Sequence, residues 1–326
     1  MTQTSRPPSP PRLKTTGLPD DQPEDDHDVF MSEQPATFLS GHPILPEDMD
    51  IRDLMPSQLY EMNQNLLNES VPQKPLIDEL ASMSVLREEY EHGSASFLRQ
   101  IDYLTKDGYD CVRRTRGDGD CFYRSVAYAF VERLLYSPDP TMAVGSALSQ
   151  IESTLPMLTG ARFDPFVYED FMECFTTLIQ SIVVPDREGL TLTPQSLLDA
   201  FQQPESSNSI VVYLRLLTSA QIRADPDAYA GFLHDPDNYM ELQLETFCQH
   251  YVEAVGKEAD HVQIAALSRA LKINVKIAYL DGRDPQEVGK VDFHEFIFAD
   301  DTTSSSLVLL YRPGHYDVLG RSSSRI

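Results

Sequence analysis

The sequence predicts a mixed α/β (α+β) domain, on three observations. Apolar residues recur at helical spacing through most of the chain, strand-like alternation is concentrated after Ile273, and there is no internal repeat. With 326 residues, 41% of them hydrophobic, the chain can bury a sizeable core in one large domain or two ordinary ones.

The elements follow in order. Residues 1–50 hold nine prolines and ten acidic residues against three basic ones. Such a segment cannot bury enough apolar surface to offset its ordering entropy, so a disordered acidic tail is expected. Residues 51–75 read as a helical segment, with Leu54, Leu59, Met62, Leu66 and Leu67 at helical spacing before Pro72 and Pro75. The globular domain is expected over 76–320, followed by a flexible end at 321–326.

Within that domain, Leu76 to Tyr90 and Phe97 to Leu104 read as helices. After Cys121, the stripe Val126, Phe130, Val131, Leu134 and Leu135 predicts a strong amphipathic helix that stops before Pro138. Further helices are expected over Phe163–Val183, Thr193–Phe201, Ile210–Ala220, Tyr239–Tyr251 and Val262–Leu271. Strands are expected at Ile273–Tyr279, Leu307–Tyr311 and Tyr316–Leu319, with a short one near Phe296–Phe298. Arg312-Pro313-Gly314 marks a turn between the last two.

Charge restricts the function. Lys plus Arg is 26 and Asp plus Glu is 51, a net charge of −25. So acidic a surface repels phosphate backbones and anionic membranes and favours basic partners. No stretch approaches the ~18 apolar residues of a membrane span, and Met1 to Pro8 has no apolar leader core. The four cysteines, Cys111, Cys121, Cys174 and Cys248, form no CxxC pair, so free thiols and no sequence-local metal site are expected. A reduced, cytoplasmic protein, also able to enter the nucleus, is the reading.

One local feature carries chemistry. In Thr115-Arg116-Gly117-Asp118-Gly119-Asp120-Cys121, two glycines and two aspartates form a tight turn running into the strong helix. Cys121 then opens a helix, where unpaired N–H groups and the dipole favour thiolate over thiol and can donate to an oxyanion. Position alone leaves a buried, inert cysteine equally open. Arg116-Gly117-Asp118 as an adhesion tripeptide and Asp118-Gly119-Asp120 as a calcium loop are weaker readings, the latter because the loop's later Gly and Glu are absent.

A thiolate nucleophile needs a base. Among the histidines, His27 and His42 lie in the tail, and His92, His234, His250, His261 and His294 have no special context. His315 opens the last strand with Asp317 two residues on, and strand period puts both on one face. A cysteine, histidine and carboxylate in that order satisfy thiol-protease logic.

Asp118-Gly119-Asp120-Cys121-Phe122-Tyr123-Arg124 resembles the D-G-N-C-F-Y-R box of the ovarian-tumour cysteine proteases. The segment Leu309 to Leu319, with Tyr311-Arg312-Pro313-Gly314-His315-Tyr316-Asp317 at its centre, resembles the histidine box of their otubain branch. Ser84 to Tyr90 and Glu258 to Leu267 are similar to two further otubain segments, and all four occur in family order.

The resemblance implies a papain-like fold with a small central sheet flanked by helices. It implies a deubiquitinase that hydrolyses isopeptide bonds in ubiquitin chains, lysine-48-linked by family analogy. Cys121 would be the nucleophile, His315 the general base, Asp317 its orienting acid and Asp118 a further active-site residue, with oxyanion donors among the amides of 118–121. No cofactor or metal is implied. Ubiquitin would be the partner. An alternative is a non-catalytic regulator that binds ubiquitin-conjugating enzymes and blocks transfer, and activity on a ubiquitin-like modifier is a third reading. The helical segment before the catalytic domain would either bind ubiquitin or pack on the core. One departure stands out: Asp120 replaces the box asparagine, and a carboxylate pointing at the thiol would disfavour thiolate and oxyanion alike.

Overall fold

The computed structural model describes residues 74–235, 239–283, 289–299 and 305–322. The expected acidic tail, the helical segment up to residue 73 and the last four residues lie outside the described residues.

Six strands form one open mixed sheet in the order β1-β2-β6-β5-β3-β4. They are β1 (Ile77–Ser82), β2 (Cys111–Thr115), β3 (Val275–Tyr279), β4 (Asp292–Phe296), β5 (Leu307–Arg312) and β6 (His315–Gly320). β3 and β5 run parallel, and the other neighbours are antiparallel. The late hydrophobic alternation reports β3, β5 and β6 correctly. β5 turns into β6 through Pro313 and Gly314, where Gly314 takes φ +73°, a left-handed value that suits glycine. Arg312 pairs with His315 across that turn.

The early strands depart from expectation. Ile77–Ser82 is strand, so the helix expected from Leu76 is the shorter α1 (Met83–Glu89), capped by the Ser82 side chain. Short apolar runs do not distinguish helix from strand, and here pairing with β2 decides. β2 itself, Cys-Val-Arg-Arg-Thr, was masked by its two arginines. Arg113 is buried over the Tyr128 ring, 4.5 Å from its centroid.

The helices are α2 (Ala95–Lys106), α3 (Cys121–Leu135), α4 (Pro140–Glu152), α5 (Leu155–Gly160), α6 (Pro165–Gln180), α7 (Pro194–Gln202), α8 (Pro204–Ala224), α9 (Pro226–Tyr229), α10 (Leu244–Phe247) and α11 (His261–Ala270). Five of them (α4, α6, α7, α8 and α9) begin with proline, whose missing N–H costs nothing in a first turn. The helix expected over Tyr239–Tyr251 is only α10 plus a wide turn of helix over Cys248–Glu253. α4 and α5 were not anticipated.

The sheet is covered on both faces. On one, α3 and α8 form the main core with Phe175, Leu309, Tyr316 and Val318. On the other, Met83 and Leu86 of α1 and Ile101 and Leu104 of α2 pack on Val112, Leu310 and Leu319. α3 is buried at every position from Cys121 to Val131, so its start is fixed against the end of β6 by packing on all sides.

Candidate active site

The loop before α3 sets the position of the thiol. Gly119 takes φ +82°, and a Cβ there would collide with the carbonyl of Gly256. Glycine is therefore required twice over, for the backbone angle and for the close crossing of the two loops. α3 begins at Cys121, which is buried. Phe122 meets Tyr316 edge-to-face at 5.5 Å, and Ser125 Oγ donates to the Tyr316 carbonyl at 3.2 Å. These contacts dock the first turn of α3 against β6, the strand that carries His315.

His315 Nε2 is 2.8 Å from Asp317 Oδ1, and the Cys121 thiol is within hydrogen-bonding reach of the same ring. A Cβ on Gly117 would lie 3.5 Å from His315 Nδ1, so that nitrogen faces the catalytic loop. Burial alone would lower the basicity of the imidazole. The hydrogen bonds with Asp317 and Cys121 outweigh it and push His315 up to about 9. An imidazolium at His315 is the form this shift favours.

Asp317 is fully buried. Burial by itself would raise its carboxyl, but the hydrogen bond from His315 and the charge of Arg312 hold it below the usual carboxylate range. Arg312 Nη2 donates to Oδ2 and the Thr115 amide donates to Oδ1 at 3.0 Å. Three donors thus fix the carboxylate that fixes the histidine, as the i, i+2 spacing predicted for the pair.

The aspartates of the loop do something else. Asp118 Oδ1 accepts the Asp120 amide at 3.0 Å and Arg124 Nη1 at 2.9 Å. Arg124 has no exposed surface, and its other donors go to Ser207 and Asn208 of α8. Asp118 therefore shapes the loop rather than reaching the histidine. Because the Asp120 amide is already engaged, the first-turn amides of α3, that of Cys121 foremost, are the ones open to an oxyanion. Asp120 does not cap them with its side chain.

Asp120 does not point at the thiol, the orientation that would disfavour the thiolate. Its Oδ1 accepts Arg215 Nε at 2.9 Å and the Gly256 amide at 3.1 Å. Arg215, from the middle of α8, is fully buried with its guanidinium 4.4 Å from the centre of the Tyr123 ring. The charge that threatened the thiolate is thus paired.

Sequence reasoning missed Arg215, Arg124, Arg312 and Thr115. For Arg215 a signal existed: a single arginine within Ile210–Ala220 requires a buried anion. His261, set aside from sequence, lies 2.8 Å from Asp260 and 3.4 Å from His294, with Tyr279 stacked beside it. Its basicity is raised by the Asp260 hydrogen bond against burial. Burial pushes the Cys174 and Cys248 thiols up. None of the four cysteines is in a disulfide.

Known proteins resemble this chain over most of its length. The family model described as Peptidase C65 Otubain matches residues 69–321. Ubiquitin thioesterase OTUB1 of Homo sapiens is 33% identical over 261 residues, 80% of this chain and 89% of that protein. The ovarian tumor domain-containing deubiquitinating enzyme 1 of Arabidopsis thaliana is 30% identical over 77% of this chain and 82% of its own. Among solved structures, a chain of the complex h/ceOTUB1-ubiquitin aldehyde-UBCH5B~Ub superposes with a TM-score of 0.68 at 27% identity, covering 82% of this chain and 98% of that one. The equivalent complex with UBC13~Ub matches equally well.

Proposed function

Since the chain belongs to the otubain family of cysteine peptidases, we propose that it cleaves ubiquitin chains with Cys121 as nucleophile, His315 as general base, Asp317 as the orienting acid and Asp118 as the residue that shapes the loop. The protein is a thiol-dependent deubiquitinase, with ubiquitin and ubiquitin-conjugating enzymes as partners. The observation that carries the residue assignment is His315, held 2.8 Å from the buried Asp317 with its ring in reach of the Cys121 thiol.

The chemistry follows from the geometry. The Cys121 thiolate attacks the carbonyl carbon of the isopeptide bond, forming an S–C bond and moving the C=O electron pair onto oxygen. First-turn amides of α3 hydrogen-bond that oxyanion. The His315 imidazolium gives its proton to the lysine nitrogen, the C–N bond breaks, and the amine leaves. Neutral His315 then takes a proton from water, which attacks the thioester. Collapse expels the Cys121 thiolate and yields the ubiquitin carboxylate. Asp317 accepts the ring N–H throughout and keeps the imidazole oriented.

Specificity for lysine-48 linkages is part of the proposal and rests on family analogy. Non-catalytic restraint of conjugating enzymes is the second reading, favoured by the matched complexes with UBCH5B~Ub and UBC13~Ub. A panel of eight di-ubiquitin linkages, run with wild type and Cys121→Ala, separates them. Thiol-dependent cleavage of the lysine-48 linkage alone is expected. A folded, ubiquitin-binding wild type that cleaves none would move the function to the second reading.

A further inference from the structure

Asp120 occupies the position before α3 where an aspartate ordinarily accepts the N–H groups of the first turn. If it did so here, its carboxylate would fill the site a reaction oxyanion needs and set a negative charge beside the thiolate. Instead the side chain is turned away. Arg215 takes Oδ1 through both Nε and Nη2, and the Gly256 amide donates to the same oxygen.

Arg215 also acts on the backbone. Its Nη2 donates to the Gly119 carbonyl at 3.0 Å and to the Lys257 carbonyl at 2.6 Å, and its Nη1 donates to the Val252 carbonyl at 3.0 Å. On the other side of the Gly119–Asp120 peptide, the Asp120 amide donates to Asp118. Both ends of this peptide group are therefore held: the carbonyl by a buried cation, the N–H by a carboxylate that Arg124 in turn holds. A glycine at φ +82° can rotate more easily than other residues. Were this peptide to turn over, its carbonyl oxygen would face the Asp118 carboxylate, and the loop entering α3 at Cys121 would lose the shape these bonds hold.

Resting on the assignment of Cys121 as nucleophile, we propose that Arg215 is a positioning residue for the oxyanion site. It holds the Asp120 carboxylate and the Gly119 carbonyl away from the first turn of α3, so that the amides there stay free for the transition state. It touches neither substrate nor thiol. It serves four acceptors, Asp120, Val252, Gly119 and Lys257, through three nitrogens spread over a rigid plane, which suits a guanidinium and not an ammonium. Its effect should therefore fall on stabilisation of the charged oxygen rather than on ubiquitin binding.

The test uses the full chain and two probes: ubiquitin aldehyde, which forms a tetrahedral adduct with a thiol, and ubiquitin itself, which does not. In Arg215→Lys, kcat on di-ubiquitin should fall about 10- to 100-fold with KM within about twofold. Affinity for ubiquitin aldehyde should weaken in parallel while affinity for ubiquitin holds. In Arg215→Gln, Asp120 loses its cation and keeps only the Gly256 amide, and adding Asp120→Asn should recover about tenfold of the lost kcat. If Arg215→Gln does not fold, the Arg215→Lys measurements decide. The proposal is overturned if folded Arg215→Lys keeps its kcat, if aldehyde and ubiquitin affinities fall equally, or if the double variant recovers nothing. A Cys121→Ala control keeps this apart from the underlying assignment: retained cleavage there would overturn the nucleophile itself, whereas an inactive control beside a fully active Arg215→Lys would overturn only the role of Arg215.

Discussion

The two halves of the site are built on different principles. On the β6 side, His315 and Asp317 are two residues apart on one strand, and their relation follows from strand geometry. On the loop side, Asp118 and Asp120 lie three residues and one residue before Cys121, yet their carboxylates bond elsewhere. Each is held by a buried arginine, Arg124 from α3 and Arg215 from α8. In the proposed mechanism the first half moves a proton, while the second fixes backbone and pairs the charge of Asp120. Proximity to the nucleophile therefore says little about an acid's role; what each carboxylate pairs with decides it.

Breaking the proton-moving half should have the largest effect. Cys121→Ala or His315→Ala should lower kcat by about 10,000-fold or more while leaving the melting curve close to wild type, read by di-ubiquitin cleavage and calorimetry. Asp317→Asn should come next, at about 100- to 1,000-fold, because the imidazole keeps its place but loses its orienting anion. Here the melting temperature should fall as well, since Arg312 is left without its buried partner.

Breaking the loop half should cost less turnover and more stability. Asp118→Ala removes the acceptor of the Asp120 amide and the partner of Arg124. About a tenfold loss of kcat with about 1–3 kcal/mol of destabilisation is expected, from activity and denaturant titration together. A loss as large as that of His315→Ala would mean that Asp118 belongs to the proton-moving half.

The smallest effect sharpens the same contrast through pH. His315 is raised from 6.5 to about 9 by its partners. A group raised on folding contributes stability that is fully present below its unfolded value and lost as pH rises through the folded one. Stability should therefore decline between about pH 6.5 and 9, and kcat/KM should decline as pH rises through about 9. The stability decline should vanish in His315→Ala, whereas it should persist in Asp118→Ala.

Sequence legibility divides along the same line. The late strands, the helix after Cys121 and the His315–Asp317 pair were readable, because each depends on spacing within one element. β1 was read as helix because its few apolar residues fit either period, and only its pairing with β2 settles the matter. Arg215 lies 95 residues from Asp120 and binds it across two elements. No local pattern reports such a partner, although a lone arginine amid Ile210–Ala220 signals that one must exist. The orientation of Asp120 could not be read for the same reason: its pairing partner is remote in sequence.

The measurement that bears most directly on the nucleophile is reaction of the full chain with a ubiquitin bearing a C-terminal electrophile, followed by intact mass and peptide mapping. The account predicts one ubiquitin per chain, on Cys121, with labelling lost in Cys121→Ala and slowed in His315→Ala. A label carried by Cys111, Cys174 or Cys248, or a folded wild type that takes none, would contradict it.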